Sequence, residues 1–168
     1  MLNILHHIER ELSIMLLSPE GWRSLDVDYH PPRVERVYRD HEGYRISLHV
    51  IHPCGPEEAL FHPHPWPSAM RVLTGDYEMT VGAGEGDQPP AQVLTLRVGG
   101  SFEYEMTHPD GWHRVRTIGA PAMTLMVSGP PWKRWSPGSE APLAPLSTQR
   151  VNEILGAFQR HYPLVVDE

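Results

Sequence analysis

The sequence predicts an all-β domain, a sandwich or a small barrel, with one α-helix at each end. Three observations carry that expectation. The chain has 18 prolines and 14 glycines in 168 residues, scattered rather than periodic, the punctuation of many short elements joined by tight turns. Between these breaks lie runs of β-branched or alternating residues. Apolar residues at helical spacing occur at the two ends of the chain.

At the start of the chain, "MLNILHHIERELSIMLLSPEG" places Leu5, Ile8, Leu12 and Met15 on one helical face, and Pro19 and Gly21 close it, so a helix is expected over residues 1–18. His6 and His7 are adjacent, point in different directions and read as solvated surface. From Arg33 the period changes to two. The runs "RVERVYR", "YRISLHVI", "AMRVLTG", "YEMTV", "VLTLRV", "FEYEM", "HRVRTI" and "MTLMVSG" read as strands, separated by "DHEG", "HPCGP", "GAGEGDQPPA", "GG" and "HPDG". The β region is expected over about residues 33–130. The segment "GPPWKRWSPGSEAPLAPL" is broken by proline and should run over the surface. A second helix is expected in "STQRVNEILGAFQRHYP", where Val151, Ile154, Leu155 and Phe158 make one apolar face, so residues 131–168 form a C-terminal extension and helix.

Size and composition bound the function. With 40% hydrophobic residues the chain is the size of one domain, 1–168, able to bury a core without cross-links. Its net charge of −7 argues against a phosphate-tracking surface, so nucleic acid is not an expected partner. A single cysteine, Cys54, excludes an intrachain disulfide, and the start of the chain lacks the marks of a signal peptide, so a cytoplasmic protein is expected. No apolar stretch approaches the roughly 20 residues that span a bilayer, so no membrane partner is expected either.

Histidine is in excess, with 11 residues. Two of them, His62 and His64, stand one residue apart in "LFHPHPWPSAMRVLTGDYEMTVG". Residues two apart in a strand project to one face, so both imidazoles aim the same way. Pro63, Pro65 and Pro67 stiffen the backbone around them and lower the entropic cost of holding the pair. A third ligand should come from another strand, and His113, after the turn "HPDGW", is the candidate; Val115 and Thr117 would succeed it on the inner face.

These residues carry a resemblance to the cupin superfamily, whose first motif is His-x-His followed by a glutamate and a glycine and whose second is a Pro-x-Gly turn before another histidine. Here the first motif reads His62-Pro-His64, with Ser68 where the glutamate would fall, then Gly75. The second reads Pro109-Asp110-Gly111-Trp112-His113, one residue shorter than usual. The resemblance implies a double-stranded β-helix, or jelly-roll, barrel flanked by the two helices. Within cupins the chain is similar to cysteine dioxygenase and related thiol dioxygenases, which hold iron(II) with three histidines: "GWHRV" resembles their "GLHRV", and "SGPPW" their "SPPF". The histidine that supports their metal site and their catalytic tyrosine fall on Met126 and Ser128, and their cross-linking cysteine aligns near Ala69. Their carboxylate-binding arginine corresponds to Arg39. The frame of the metal site is kept and the thiol-oxidising apparatus is missing.

With Ser68 in place of glutamate, the site would be three neutral imidazoles leaving open positions and the full 2+ charge, which favours anionic, chelating substrates. The ligand set suits iron, zinc, nickel or copper, and the resemblance implies Fe(II). On "YRISLHVI", Arg45, Ser47, His49 and Ile51 share one face and Tyr44, Ile46, Leu48 and Val50 the other. If the first face is internal, Arg45 becomes a substrate anchor and His49 a proton shuttle. Alternation from Ser68 puts Met70 and Val72 inside and Arg71 outside; together with Arg39, Met126 and Ser128, which the resemblance implies, the expected pocket comprises Arg39, Ser68, Met70, Met126 and Ser128. Tyr77 and Arg116 fall inside or outside by the same logic. His108 reads as a loop residue, and Trp66 and Trp112 as pocket wall or core.

Two functions are expected from these residues: a non-heme iron dioxygenase-like enzyme acting on a small organic acid or chelating substrate, or a non-catalytic cupin that binds or senses a small ligand through its metal. A purely structural barrel without metal requires that the three imidazoles do not converge. By analogy with cupins, a homodimer is expected.

Overall fold

The computed structural model describes residues 1–85, 88–133, 138–139 and 141–164. Among the described residues, eight antiparallel strands form one sheet: β1 (Arg23–Val27), β2 (Val34–His41), β3 (Tyr44–Ile51), β4 (His62–Pro63), β5 (Ser68–Ala83), β6 (Leu94–Val98), β7 (Glu103–Met106) and β8 (Gly111–Ser128). The main path runs β1-β2-β3-β8-β5-β6, with β4 on β8 and β7 on β5. Helix α1 (Leu2–Met15) precedes the sheet and α2 (Thr148–His161) comes after it. No helix among the described residues is long and apolar enough to cross a membrane.

Four of the runs read as separate strands fuse into two. "AMRVLTG" and "YEMTV" are one 16-residue strand, and "HRVRTI" and "MTLMVSG" one 18-residue strand. Each long strand serves two parts of the sheet. Residues 122–128 of β8 lie between β3 and the start of β5, whereas its residues 111–118 pair with the end of β5 and with β4. Gly75 and Gly119, both at positive φ, mark the change of direction. Two strands are not legible in the sequence. β1 buries Val27 alone, so "RSLDV" has little alternation to read, and the sheet begins ten residues before Arg33. β4 is two residues long.

The first part of the sheet is two-faced. Val37, Ile46, Leu48, Val50, Leu125 and Val127 form the outer layer of a core whose other layer is the helices. Leu5, Ile8 and Leu12 of α1 and Ile154, Leu155 and Phe158 of α2 are its buried faces, at the i, i+3, i+4, i+7 spacing read from the sequence. Each such side chain contributes roughly 1.5–3 kcal/mol when fully buried. Helix α1 ends at Met15, three residues short of Ser18. Arg71 points outward, as alternation requires, and pairs with Glu9 of α1 at 3.1 Å and with Glu103.

Helix α2 is pinned by an ion pair between the half-buried Arg150 and the buried Glu35. Ser147 caps its N-terminus, accepting from the Arg150 backbone N–H at 3.2 Å. The Arg150 guanidinium donates to both oxygens of Glu35 at 2.7 and 2.8 Å, and His52 Nε2 lies 2.9 Å from the same carboxylate. Arg150 holds the Glu35 carboxyl down at about 2, against the burial that opposes it, with His52 adding to the effect. The depressed carboxyl binds its proton more readily in the unfolded chain. Its contribution, about 2–3 kcal/mol, is therefore full above pH about 4.5 and lost as the pH falls through about 2. Arg150→Met should lower stability by about that amount at pH 7, because it removes the guanidinium and leaves the buried Glu35 carboxylate to His52, and should flatten the acid limb. Urea titrations from pH 7 to 2.5 measure both.

The expected surface run of the proline-broken segment lies partly outside the described residues, at 134–137 and 140. The stretch leading into α2 folds back on β1. Asp26 N–H donates to Ala144 O at 2.8 Å, Leu146 N–H donates to Ser24 Oγ at 3.0 Å, and Leu143 lies against the inner cavity.

Candidate metal centre

The inner face of the sheet carries the histidines. Strand register sets two of them directly opposite each other: His62 pairs with His113 across β4 and β8. His64 stands one alternate step further, its N–H donating to Gly111 O at 3.3 Å. The imidazole centroids are 4.5 Å apart for His64 and His113, 4.8 Å for His62 and His113, and 6.2 Å for His62 and His64. One nitrogen from each ring lies within 4.8 Å of the others. The three imidazoles converge, contrary to what a structural barrel without metal requires.

The donor set fits a transition metal. His62 Nδ1–H donates to Leu60 O at 3.0 Å, and His64 Nδ1 is 2.8 Å from Ser68 Oγ, which leaves Nε2 of both rings free. His113 Nδ1 is buried without a partner among the described residues. Burial lowers all three: His62 falls to about 4 and His64 to about 3, with neighbouring imidazoles and Arg36 adding to the effect, and His113 falls well below its ordinary value. The rings are thus neutral at pH 7, the form in which an imidazole binds a metal. Donors on one zinc or iron ion sit about 3–3.5 Å apart at bond lengths of about 2.0–2.2 Å, a small contraction from the observed cluster.

Ser68 lies behind His64 and not in the cavity wall, a correction to its expected place in the pocket. Its hydroxyl orients a ligand ring, as outer-shell partners of metal-bound histidines do. Ser68→Ala should weaken metal affinity by about tenfold without unfolding the chain, measurable by competition with a chelator.

The cavity in front of the histidines has a volume of about 170 Å³, and Arg36, His49, Met70, Tyr77, Val115 and Met126 are among its walls. Met70 and Met126 lie where alternation puts them. Arg36 is not among the residues the sequence singles out. It projects from β2 on the same face as Val34, opposite His49 in the register, and donates from Nε to His49 Nε2 at 3.0 Å. No carboxylate pairs with it among the described residues, and burial pulls its pKa below the usual guanidinium value. It remains a charged arginine.

His49 has a different part from the proton shuttle expected of it. Its Nε2 accepts from Arg36, so its proton sits on Nδ1, 3.4 Å from Thr124 Oγ1. Burial, then Arg36 and His64, hold its pKa well below the ordinary value. It is a neutral acceptor that orients Arg36. Arg45 shares its face, but two alternate steps along the strand it reaches the solvent edge, over the Tyr38 ring and 3.0 Å from Asp40. It does not sit beside the histidines. Arg39 faces away altogether: its guanidinium lies over Trp22 on the helix side, because Val34, Arg36 and Tyr38 take the inner face of β2. Ser128 opens to a neighbouring cavity.

Other sequence candidates lie apart from the centre. Trp112 is core, its ring 5.7 Å from Phe61, whereas Trp66 lines the cavity. Arg116 pairs outside with Glu78 at 2.7 Å, and exposed His108 sits 3.6 Å from Asp110. His6, Glu9 and Glu103 also gather, but Arg71 contacts both carboxylates, making an ion-pair network.

The chain matches no family profile and no curated protein sequence. It is similar in structure to hydroxypropylphosphonic acid epoxidase (HppE) from S. wedmorenis, with a TM-score of 0.53 and 12% identity over 66% of this chain and 56% of that one. Fe(II) HppE gives a TM-score of 0.52 at 15% identity, over 66% and 57% of the two chains. Its complex with substrate gives 0.54 at 12% identity, over 66% and 58%. The fold is cupin-like. The chain spans a little over half the length of the HppE chains it matches.

Proposed function

We propose that the protein is a metal-binding cupin that acts as a non-heme iron(II) oxygenase on a small organic acid. The observation that carries this reading is the convergence of His62, His64 and His113 on a cavity that also holds a half-buried arginine, Arg36, without a carboxylate partner among the described residues. The fold shared with an iron(II) epoxidase whose substrate is a phosphonic acid supports both the metal and the anionic substrate.

Bound iron(II) would supply a Lewis-acid and redox centre with open positions for substrate and dioxygen. The chain's own residues supply recognition. Arg36 offers its terminal N–H groups to an anionic oxygen pair, a bidentate fit for carboxylate or phosphonate. His49 fixes the guanidinium plane by accepting from Nε. Met70, Val115 and Met126 exclude water around the reacting carbon, which strengthens each charge interaction. The Tyr77 hydroxyl, 3.2 Å from that of Tyr104, keeps its proton, since burial raises its pKa well above the ordinary value. A thiol dioxygenase is disfavoured within this reading: the positions resembling that family's histidine and tyrosine are Met126 and Ser128.

The test is oxygen uptake by the Fe(II)-loaded protein over a panel of small carboxylic, phosphonic and thiol acids, with an Arg36→Gln variant beside it. Substrate-dependent uptake that the variant loses supports the proposal. A metal-loaded protein that binds acids at the metal and turns none over would instead be the ligand-binding cupin, a reading favoured by the engagement of both His49 nitrogens.

A further inference from the structure

A second cavity, of about 410 Å³, adjoins the first; Arg36, Trp66 and Met126 line both. The two succeed one another along alternating positions of neighbouring strands. On β3, Ile51 and His49 face the metal pocket and Ser47 and Arg45 face the second cavity; on β8, Met126 borders both and Ser128 only the second. The inner face of one sheet is thus a continuous path from the histidines to the solvent edge.

The second cavity is short of hydrogen-bond acceptors. Ser47 is fully buried and its hydroxyl has no partner among the described residues, and the buried indole N–H of Trp66 has none. Buried polar groups left without a bond are costly, so they are explained best by a partner that arrives. The charge is also unbalanced. Among the described residues, Arg36 and Arg45 line the cavity against a single acid, Asp40, and Asp40 is shared with Arg23. This positive surplus belongs to a chain whose net charge is −7.

We propose that the second cavity is a tail subsite, and that the ligand is an elongated diacid: one anionic end held at the metal and Arg36, the other received by Arg45, Ser47 Oγ and Trp66 Nε1. This rests on the proposed metal site and extends it to the far end of the substrate. The strand rise of about 3.4 Å per residue sets the length. From His49 to Ser47 and Arg45 the path is roughly 7–14 Å, which a chain of about six to eight carbons begins to span.

The test uses Co(II)-loaded protein, whose visible absorption reports an acid arriving at the metal. Dicarboxylates from succinate to suberate are titrated beside monocarboxylates of equal length, from butyrate to octanoate. At the best length the diacid should bind at least tenfold more tightly. In Arg45→Glu, at an exposed position, that ratio should fall to about one, and in Ser47→Ala it should fall severalfold; cobalt content certifies that each variant is folded. A monoacid response with no diacid advantage, or an advantage that Arg45→Glu leaves intact, overturns the tail subsite and leaves the metal-site proposal standing. Failure of every acid to perturb the cobalt spectrum overturns both.

Discussion

Replacing His64 by alanine should abolish stoichiometric metal binding. Purified without a metal-affinity tag, the native chain is expected to carry about one iron, nickel or zinc, and the variant background amounts. The reason is geometric. His64 is the best-held of the three ligands, buried, with Nδ1 engaged by Ser68 and its ring between those of His113 and Trp66. Losing it leaves two imidazoles from a directly paired position on β4 and β8, too few to outcompete water for a divalent ion. The loss should exceed the 10- to 100-fold range of outer-shell changes. The triple variant with His62 and His113 also changed to alanine should behave alike, because a site already reduced to two ligands has little affinity left to lose. Since the imidazoles are neutral at pH 7, the apo variant should be no less stable than the apo native chain by much more than the cavity cost of one ring. Elemental analysis with thermal melts of both apo proteins checks the two statements together. Undiminished metal in the triple variant would remove the centre from any account of this protein.

The second large effect is expected at Gly75. This residue has φ +89°, and a Cβ there would stand 2.8 Å from Ala122 Cβ and 2.9 Å from Ala122 Cα. The strand β5 bends at this point, with register shifts against β8 on either side of Thr74. A side chain must therefore accept a left-handed backbone and push into the buried strand beside it. Gly75→Val should cost about 4 kcal/mol, combining backbone strain with overpacking, or about 10 °C in Tm for a chain of this length. The cost reaches the site, because β5 carries Met70 before the bend and Tyr77 after it. Metal affinity should fall less than stability, since the ligands stand on β4, on β8 and in the segment after β4. Chemical unfolding and chelator competition on the same sample separate the two.

The histidines are legible because each is announced by a local rule, whereas Gly75 is marked only by the resemblance to the cupin motif. His-x-His puts two rings on one face whatever the rest of the chain does, and the Pro-x-Gly turn before His113 marks a strand start. Alternation also sorts Ile46, Leu48 and Val50 from Ser47 and His49, and Met70 from Arg71, and the helix faces at both ends come from spacing. The arginines are less readable. In "RVERVYR" both faces carry arginine, so the sequence cannot choose between Arg36 and Arg39; pairing of β2 with β3 makes the choice, by setting Arg36 opposite His49. The place of Arg45 depends on distance along the strand rather than on its face.

The sequence by itself determined the class of the fold, the helices, the two-sided character of the strands and the three metal-ligand candidates, because these derive from the period of side-chain direction within one element and from the turn signal that starts the strand of His113. Only the tertiary structure decided that the rings converge, that Arg36 and not Arg39 or Arg45 stands over them, that His49 is an acceptor, and that a second cavity continues from the first. Those facts depend on strand register and on which faces meet. Neither quantity is encoded within any single run of residues.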